Sequence, residues 1–178
     1  DLTRANQEEL SLIPFPTEEL FEQHLASFDL VIFQDFDFGP YQMARYLPRI
    51  RDHVRAGGSF AMIGGGRSFS AGGYTRTPVA EILPVAIGEG EIEGDFRPAV
   101  ATGMQRHPLV ELARDSADSA ARWAELAPMH GANRIARAFE GTHTLLVHPG
   151  AKGEDGAPMP VLAVGEANQG RTLALAVD

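Results

Sequence analysis

Continuous apolar runs and helix-spaced apolar positions alternate through the first third of the chain. Leu12-Ile13 is a short apolar pair closed by Pro14 and Pro16. Thr17 stands where a helix N-cap belongs, with Glu18 and Glu19 in the first turn. Leu20, Phe21, His24, Leu25 and Phe28 follow at helical spacing. Leu30-Val31-Ile32-Phe33 has the pattern of a parallel strand covered on both faces. Met43, Leu47, Ile50 and Val54 mark one face of a second helix, in which Pro48 predicts a kink or restart and Gly57-Gly58 a stop. Phe60-Ala61-Met62-Ile63 is the next buried strand, and its distance from the previous one suits a right-handed βαβ unit.

Beyond this unit the pattern loosens. Gly64 to Gly73 is a glycine-rich loop, and Thr77-Pro78 begins a short helix through Ile82. Val85 to Val100 has broken alternation, with glycines and acids, and reads as an irregular hairpin. Leu109-Val110-Leu112 and Ala117 to Leu126 read as short helices, the second carrying Trp123. Thr144–Val147, Val161–Val164 and Thr172–Val177 are β-prone, the last two joined by a hairpin-length connection from Gly165 to Gly170. Pro149 to Pro160 is polar and rich in Gly and Pro, as in an exposed loop. No internal repeat or low-complexity tract interrupts the chain. One α/β domain spanning 1–178 accounts for the pattern.

Composition narrows the function. The 178 residues are 44% apolar and 22% charged, which is ordinary globular usage. Lys+Arg 15 against Asp+Glu 24 leaves a net charge of −9, which repels phosphate backbones and anionic membranes, so no nucleic-acid partner is expected. No run reaches the ~18 apolar residues of a spanning helix, so direct membrane insertion is not expected. There is no cysteine, which excludes thiolate nucleophiles, disulfides and zinc–thiolate sites. The first residue is Asp1, which leads us to expect a piece excised from a longer protein.

The richest chemistry follows the second strand, at Gly64-Gly65-Gly66-Arg67-Ser68. Ligands of open parallel sheets bind outside the carboxyl ends of the strands. Exposed glycine amides there can cradle an anion, Arg67 adds a charged fork and Ser68 or Ser70 a hydroxyl. The pattern is neither a P-loop nor a dinucleotide fingerprint, and a tight strand-exit loop is the better explanation of the glycines. G-x-S-x-G is absent too. Asp35 and Asp37 follow the preceding strand at the same edge. Two acids there suit metal binding or acid–base work, or capping of their own loop. The latter is the better explanation. The six histidines show no H-E-x-x-H spacing, and neither a metal nor a cofactor is expected.

Several segments together resemble the class I glutamine amidotransferase-like domain of large bacterial membrane proteins, which often also carry a von Willebrand factor A-like domain. They are Phe28–Phe33, Gly57–Gly65 with Ser68-Phe69, Gly72–Tyr74 through Thr77-Pro78 to Leu83–Val85, His107–Leu109, Asn133-Arg134, and Pro160–Val164 with Gly170-Arg171. The resemblance implies a flavodoxin-like three-layer fold with a mainly parallel sheet, extended by the C-terminal β-hairpin. It also implies that the chain is a fragment of a membrane protein. True amidotransferases use a cysteine on a strand-to-helix elbow and a late His-Glu pair. The elbow falls near Gly64, and the chain reaches Asp178 with no such pair. A fold therefore carries over, but no catalytic residue. The expected role is a non-catalytic binding or interaction module of a larger envelope-associated protein, partnered by proteins or neighbouring domains. Its candidate ligand edge is Asp35, Asp37, Gly64, Gly65, Gly66, Arg67 and Ser68. The alternative is a hydrolase with non-cysteine chemistry built on Asp35, Asp37 and Ser68.

Overall fold

A computed structural model describes residues 15–178 other than Tyr41. The predicted Leu12-Ile13-Pro14 segment lies outside the described residues. The first periodic stretch is not one α-helix. It forms a π-helical turn, Glu19–Gln23, and a 3-10 turn, Leu25–Ser27, which bury Phe21 and Leu25. Thr17 makes no capping bond, since the cap position falls on Glu18 and has no side-chain hydrogen bond.

The βαβ unit forms as its apolar runs dictate. Strand β1, Leu30–Gln34, and strand β2, Ser59–Ile63, pair in parallel with Val31 beside Phe60 and Phe33 beside Met62. Helix α1, Leu47–Arg55, connects them and buries Leu47, Ile50 and Val54. Pro48 sits in its first turn, where the missing amide has no intrahelical partner to lose, so the residue restarts the helix after a 3-10 turn at Met43–Arg45. Residues opposite each other in register share a face. Val31, Phe33, Phe60 and Met62 thus form one apolar surface, and all four are buried.

The rest of the sheet overturns the flavodoxin-like, mainly parallel, three-layer expectation. Strands β3 (Val85–Phe96) and β5 (Met129–Ala138) pair antiparallel as a separate two-stranded sheet. The irregular hairpin expected over Val85–Val100 is therefore absent, because β3 finds its partner far down the chain. The main sheet continues with β4 (Ala99–Val100), β6 (His143–Lys152), β7 (Pro158–Ala167) and β8 (Gly170–Leu175). Its order is β1-β2-β8-β7-β6-β4. Only β1–β2 and β2–β8 are parallel; β8–β7, β7–β6 and β6–β4 are antiparallel. The β7–β8 hairpin turns on Asn168-Gln169, with Asn168 at φ 57°, a conformation Asn tolerates. It enters the sheet in the middle, beside β2, rather than at an edge.

A flavodoxin-like sheet needs helices on both faces. Here Leu30 and Ile32 of β1 are 48% and 53% exposed, so the continuous apolar run is covered on one face only. The other regular α-helix among the described residues, α2 (Ser116–Glu125), is capped by Asp115, which accepts from the amides of Ala117 at 2.8 Å and Asp118 at 3.3 Å. Residues 108–110 form turns rather than the helix expected near Leu109. No helix among the described residues is long and apolar enough to cross a membrane.

His148 lies inside β6 as a neutral acceptor. Its Nδ1 receives the amides of Gly150 at 3.1 Å and Ala151 at 2.8 Å, and its ring centroid lies 4.3 Å from that of Phe96. Burial lowers its pKa below the ordinary 6.5. The unfolded chain then binds this proton more readily, so the contribution is present above 6.5 and lost as pH falls below it. His130 has the opposite sign, since the hydrogen bond and charge of Asp95 raise its pKa. Its contribution is present below 6.5 and lost as pH rises, but the pair is largely exposed and weak. The unfolding temperature should fall as pH drops from about 7.5 to about 5.5, and fall less in His148→Gln, which has no group to titrate. Parallel curves for the two proteins, followed by circular dichroism, would contradict this assignment.

Candidate functional site

The carboxyl ends of β1, β2 and β8 converge, and each contributes a short polar segment. Asp35 leaves β1 at φ 42°, a left-handed conformation that Asp adopts more readily than most residues. One carboxylate oxygen accepts the Arg67 amide at 2.7 Å. The Arg67 guanidinium is 3.9 Å from the other oxygen, and both side chains are substantially exposed, so this ion pair adds little. Asp35 thus joins the β1 exit to the β2 exit. Asp37 serves its own turn, accepting the Gly39 amide at 2.9 Å.

The Gly64–Gly66 segment passes through a crowded gap. The Gly64 amide donates to the Val177 carbonyl at 3.2 Å. A Cβ on Gly64 would stand 2.8 Å from both the Ala176 carbonyl oxygen and Asn133 Oδ1. Gly65 has φ 125° and faces Asp35, so backbone freedom and space both require glycine there. Gly66 has open space around it. Ser68 is 1% exposed and donates from Oγ to the Ile63 carbonyl at 2.6 Å, closing the turn that leaves β2. Farther along, Tyr74 donates to the Phe36 carbonyl at 2.7 Å. Burial, then the Asp37 charge, raises its pKa, so it remains a neutral donor.

The residue that organises this edge comes from β5. Asn133 is buried, accepts the Gly65 amide at 2.9 Å and returns its own NH2 to the Gly65 carbonyl at 3.1 Å and to Glu91 Oε1 at 3.3 Å. Its main-chain amide donates to the Ala176 carbonyl at 2.8 Å. One residue therefore ties the two-stranded sheet to the ends of β2 and β8. Sequence reading reached Asn133 only as part of a resemblance. With Ala132 before it and Arg134 after it, Asn133 stands in a mixed segment whose sequence carries no signal of its burial.

An open cavity of about 450 Å³ lies between this edge and the β3–β5 ribbon. Of the seven candidate residues only Gly65 and Gly66 line it; Asp35, Asp37, Gly64, Arg67 and Ser68 do not. Its polar wall is instead Glu91, Glu93, Asn133, His130 and Asp178. His130 Nδ1 is 2.6 Å from Asp95 Oδ1 across the β3–β5 pair. The wall holds several carboxylates and no hydroxyl or thiol nucleophile. Among the described residues, no group of three or more His, Asp or Glu side chains is arranged to hold a metal ion.

No family model matches this chain, and no curated protein matches it. Solved structures do. The cytoplasmic protein STM1381 of Salmonella typhimurium LT2 is 23% identical, with a TM-score of 0.69 over 92% of this chain and 69% of that one. The cytoplasmic protein STM3548 of Salmonella typhimurium is 22% identical, with a TM-score of 0.65 over 93% of this chain. A β-galactosidase from Rahnella sp. R3 is 18% identical, with a TM-score of 0.51 over 88% of this chain. The chain spans 65% of STM3548 and 21% of the galactosidase. These likenesses concern the fold. The expectation of a membrane-protein fragment finds no support in these comparisons: the two Salmonella proteins are described as cytoplasmic, and no helix among the described residues is long and apolar enough to span a membrane.

The glycines make a graded test. Gly64→Ala should cost about 1–3 kcal/mol, because backbone and a pinned Asn133 meet the new methyl. Gly65→Ala should cost a similar ~1–3 kcal/mol from backbone strain and the Asp35 contact. Gly66→Ala should stay within about 0.5 kcal/mol. Urea unfolding of the three variants gives the ranking, and a Gly66→Ala loss as large as the other two would refute it.

Proposed function

We propose that this chain is a non-catalytic binding or interaction module. The observation that carries the reading is the commitment of the edge's reactive groups to structure. Ser68 Oγ is buried and donates to Ile63, so it has no base beside it and no path to solvent. Asp35 and Asp37 hold the Arg67 and Gly39 amides. A hydrolase would need a nucleophile and a base within hydrogen-bond reach of each other, facing one space. The cavity beside the edge presents carboxylates, an imidazole and glycine backbone, groups suited to holding a ligand or a polar partner segment.

Glutamine hydrolysis in the resembled class passes through a thioester and needs a thiolate, and the chain has no cysteine. The elbow position, Gly64, has no room for a Cβ beside Ala176 and Asn133. Ammonia release from glutamine and hydrolysis of an activated aryl ester should both match a heat-denatured control, for the natural chain and for Gly64→Cys. Turnover in the natural chain that Ser68→Ala abolishes would replace this reading with the hydrolase.

A further inference from the structure

We propose that the groove on the open face of the main sheet holds a free α-amino acid with an apolar side chain. The side chain lies over Ala61, Leu173 and Val164, and the zwitterionic head meets Ser59, Arg171 and Glu166. This inference rests on the reading of the chain as a non-catalytic binding module and gives that module a ligand class. The groove lies at the amino ends of β2 and β8, the far ends from the Gly64–Ser68 turn.

Strand register builds the floor. Ala61, Leu173 and Val164 are successive partners across β2, β8 and β7, so their side chains form one apolar row. Phe60 and Met62 take the buried face of β2, which leaves this row on the other. Ala61 is its smallest member, so the row dips at β2. Two residues along each strand, Ser59, Arg171 and Glu166 form a second row on the same face, and this one is polar. Leu109 walls the groove, whose volume of about 600 Å³ suits a small molecule.

The polar row decides which molecule fits. Arg171 and Glu166 are direct cross-strand partners, yet neither side chain closes an ion pair or hydrogen bond with another described residue. The guanidinium, with the Ser59 hydroxyl beside it, donates to a carboxylate, and the Glu166 carboxylate accepts from an ammonium. Facing positions on paired strands are ~5 Å apart at Cβ, a span that one small head can bridge. An α-amino acid carries both charges on a single carbon. A simple acid would bring its carboxylate beside Glu166, and a simple amine its ammonium beside Arg171, so each meets a like charge that the zwitterion offsets.

The test is a two-dimensional NMR titration of the whole 178-residue chain with phenylalanine, 3-phenylpropanoate and 2-phenylethylamine, which share a ring and differ in the head. Phenylalanine should bind with a Kd of about 1 mM or tighter, shifting the amides of residues 59–61, 164–166 and 171–173 together. Each analogue should bind about two- to fivefold more weakly, as expected for losing one exposed charge contact. Arg171→Gln should remove the preference over 2-phenylethylamine, and Glu166→Gln the preference over 3-phenylpropanoate. Both positions are exposed, so neither change should alter the unfolding temperature. Ala61→Leu, which fills the dip, should weaken phenylalanine at least about tenfold. No shifts with phenylalanine at about 10 mM, either analogue binding as tightly as phenylalanine, or shifts confined to residues 64–68 would each overturn the inference. Conversion of phenylalanine to a new compound during the titration would sink the non-catalytic reading and leave the site standing. Absence of binding without conversion would sink the site alone, so the two failures are distinguishable.

Discussion

Asn133 holds the Gly65 peptide from both sides, and the placement of one sheet against the other depends on that contact. A buried peptide amide left without a partner costs ~1–3 kcal/mol, and here both the N–H and the C=O of one residue are satisfied by a single side chain. The same asparagine fixes the end of β8 through its own amide and engages Glu91 on β3. Remove that side chain and the β2 exit loses its tie to the β3–β5 ribbon, while the main-chain bond from Asn133 to the β8 exit remains. The crowding at Gly64 follows from this geometry, because the strand exits can converge on Asn133 only where one of them lacks a Cβ.

The parts of the fold legible in the sequence are those whose partners are near in the chain. The unit from Leu30 to Ile63 could be read because an apolar run, an amphipathic helix and a second run follow one another with a glycine stop between. The β7–β8 hairpin was readable on the same ground. The reading of β3 fails because its partner, β5, is paired across a long intervening segment, and because register shifts between Ala86 and Ile87, Ile87 and Glu91, and Ile92 and Asp95, the last two spanning the positive-φ Gly90 and Gly94, break the period of two. The flavodoxin-like expectation came with the resemblance, and the antiparallel β8–β7, β7–β6 and β6–β4 pairings overturn it. The Leu-Val-Ile-Phe run predicts a strand covered on both faces, yet Leu30 and Ile32 face outward. Hydrophobicity gives the tolerance of a position for burial and leaves open what covers it.

The site divides in the same way. Asp35 and the glycines announced a loop that needs left-handed backbone and an internal acceptor, and the structure has both, at Asp35, at Gly65 and in the Arg67 amide bond. Ser68 looked like a possible nucleophile and is a buried turn-closing donor. A serine after a strand has the same local sequence in either role, so only its burial separates them. The cavity's acidic wall was not legible, since Glu91, Glu93, His130 and Asp178 come from three separate strands or strand exits. The antiparallel β3–β5 pairing brings the first three together, and the parallel position of β8 supplies the fourth.

These features set a limit on what the edge can do chemically. Catalytic edges of parallel sheets carry their reactive side chain on a strained exit turn, with neighbours left free to serve it. The β2 exit has the strain, in the positive φ of Phe69, but its polar groups are directed inward to hold the turn. Tyr74 adds a further internal bond, tying the segment after Ser68 back to the Phe36 carbonyl beyond β1. Burial raises the Tyr74 pKa, so this donor remains protonated throughout the neutral range, as a structural tie requires and an acid–base group does not. The strain is thus balanced locally by hydrogen bonds to Asp35, Asn133, Ile63 and Phe36. A turn held in this way presents a fixed surface whose polar groups are already engaged.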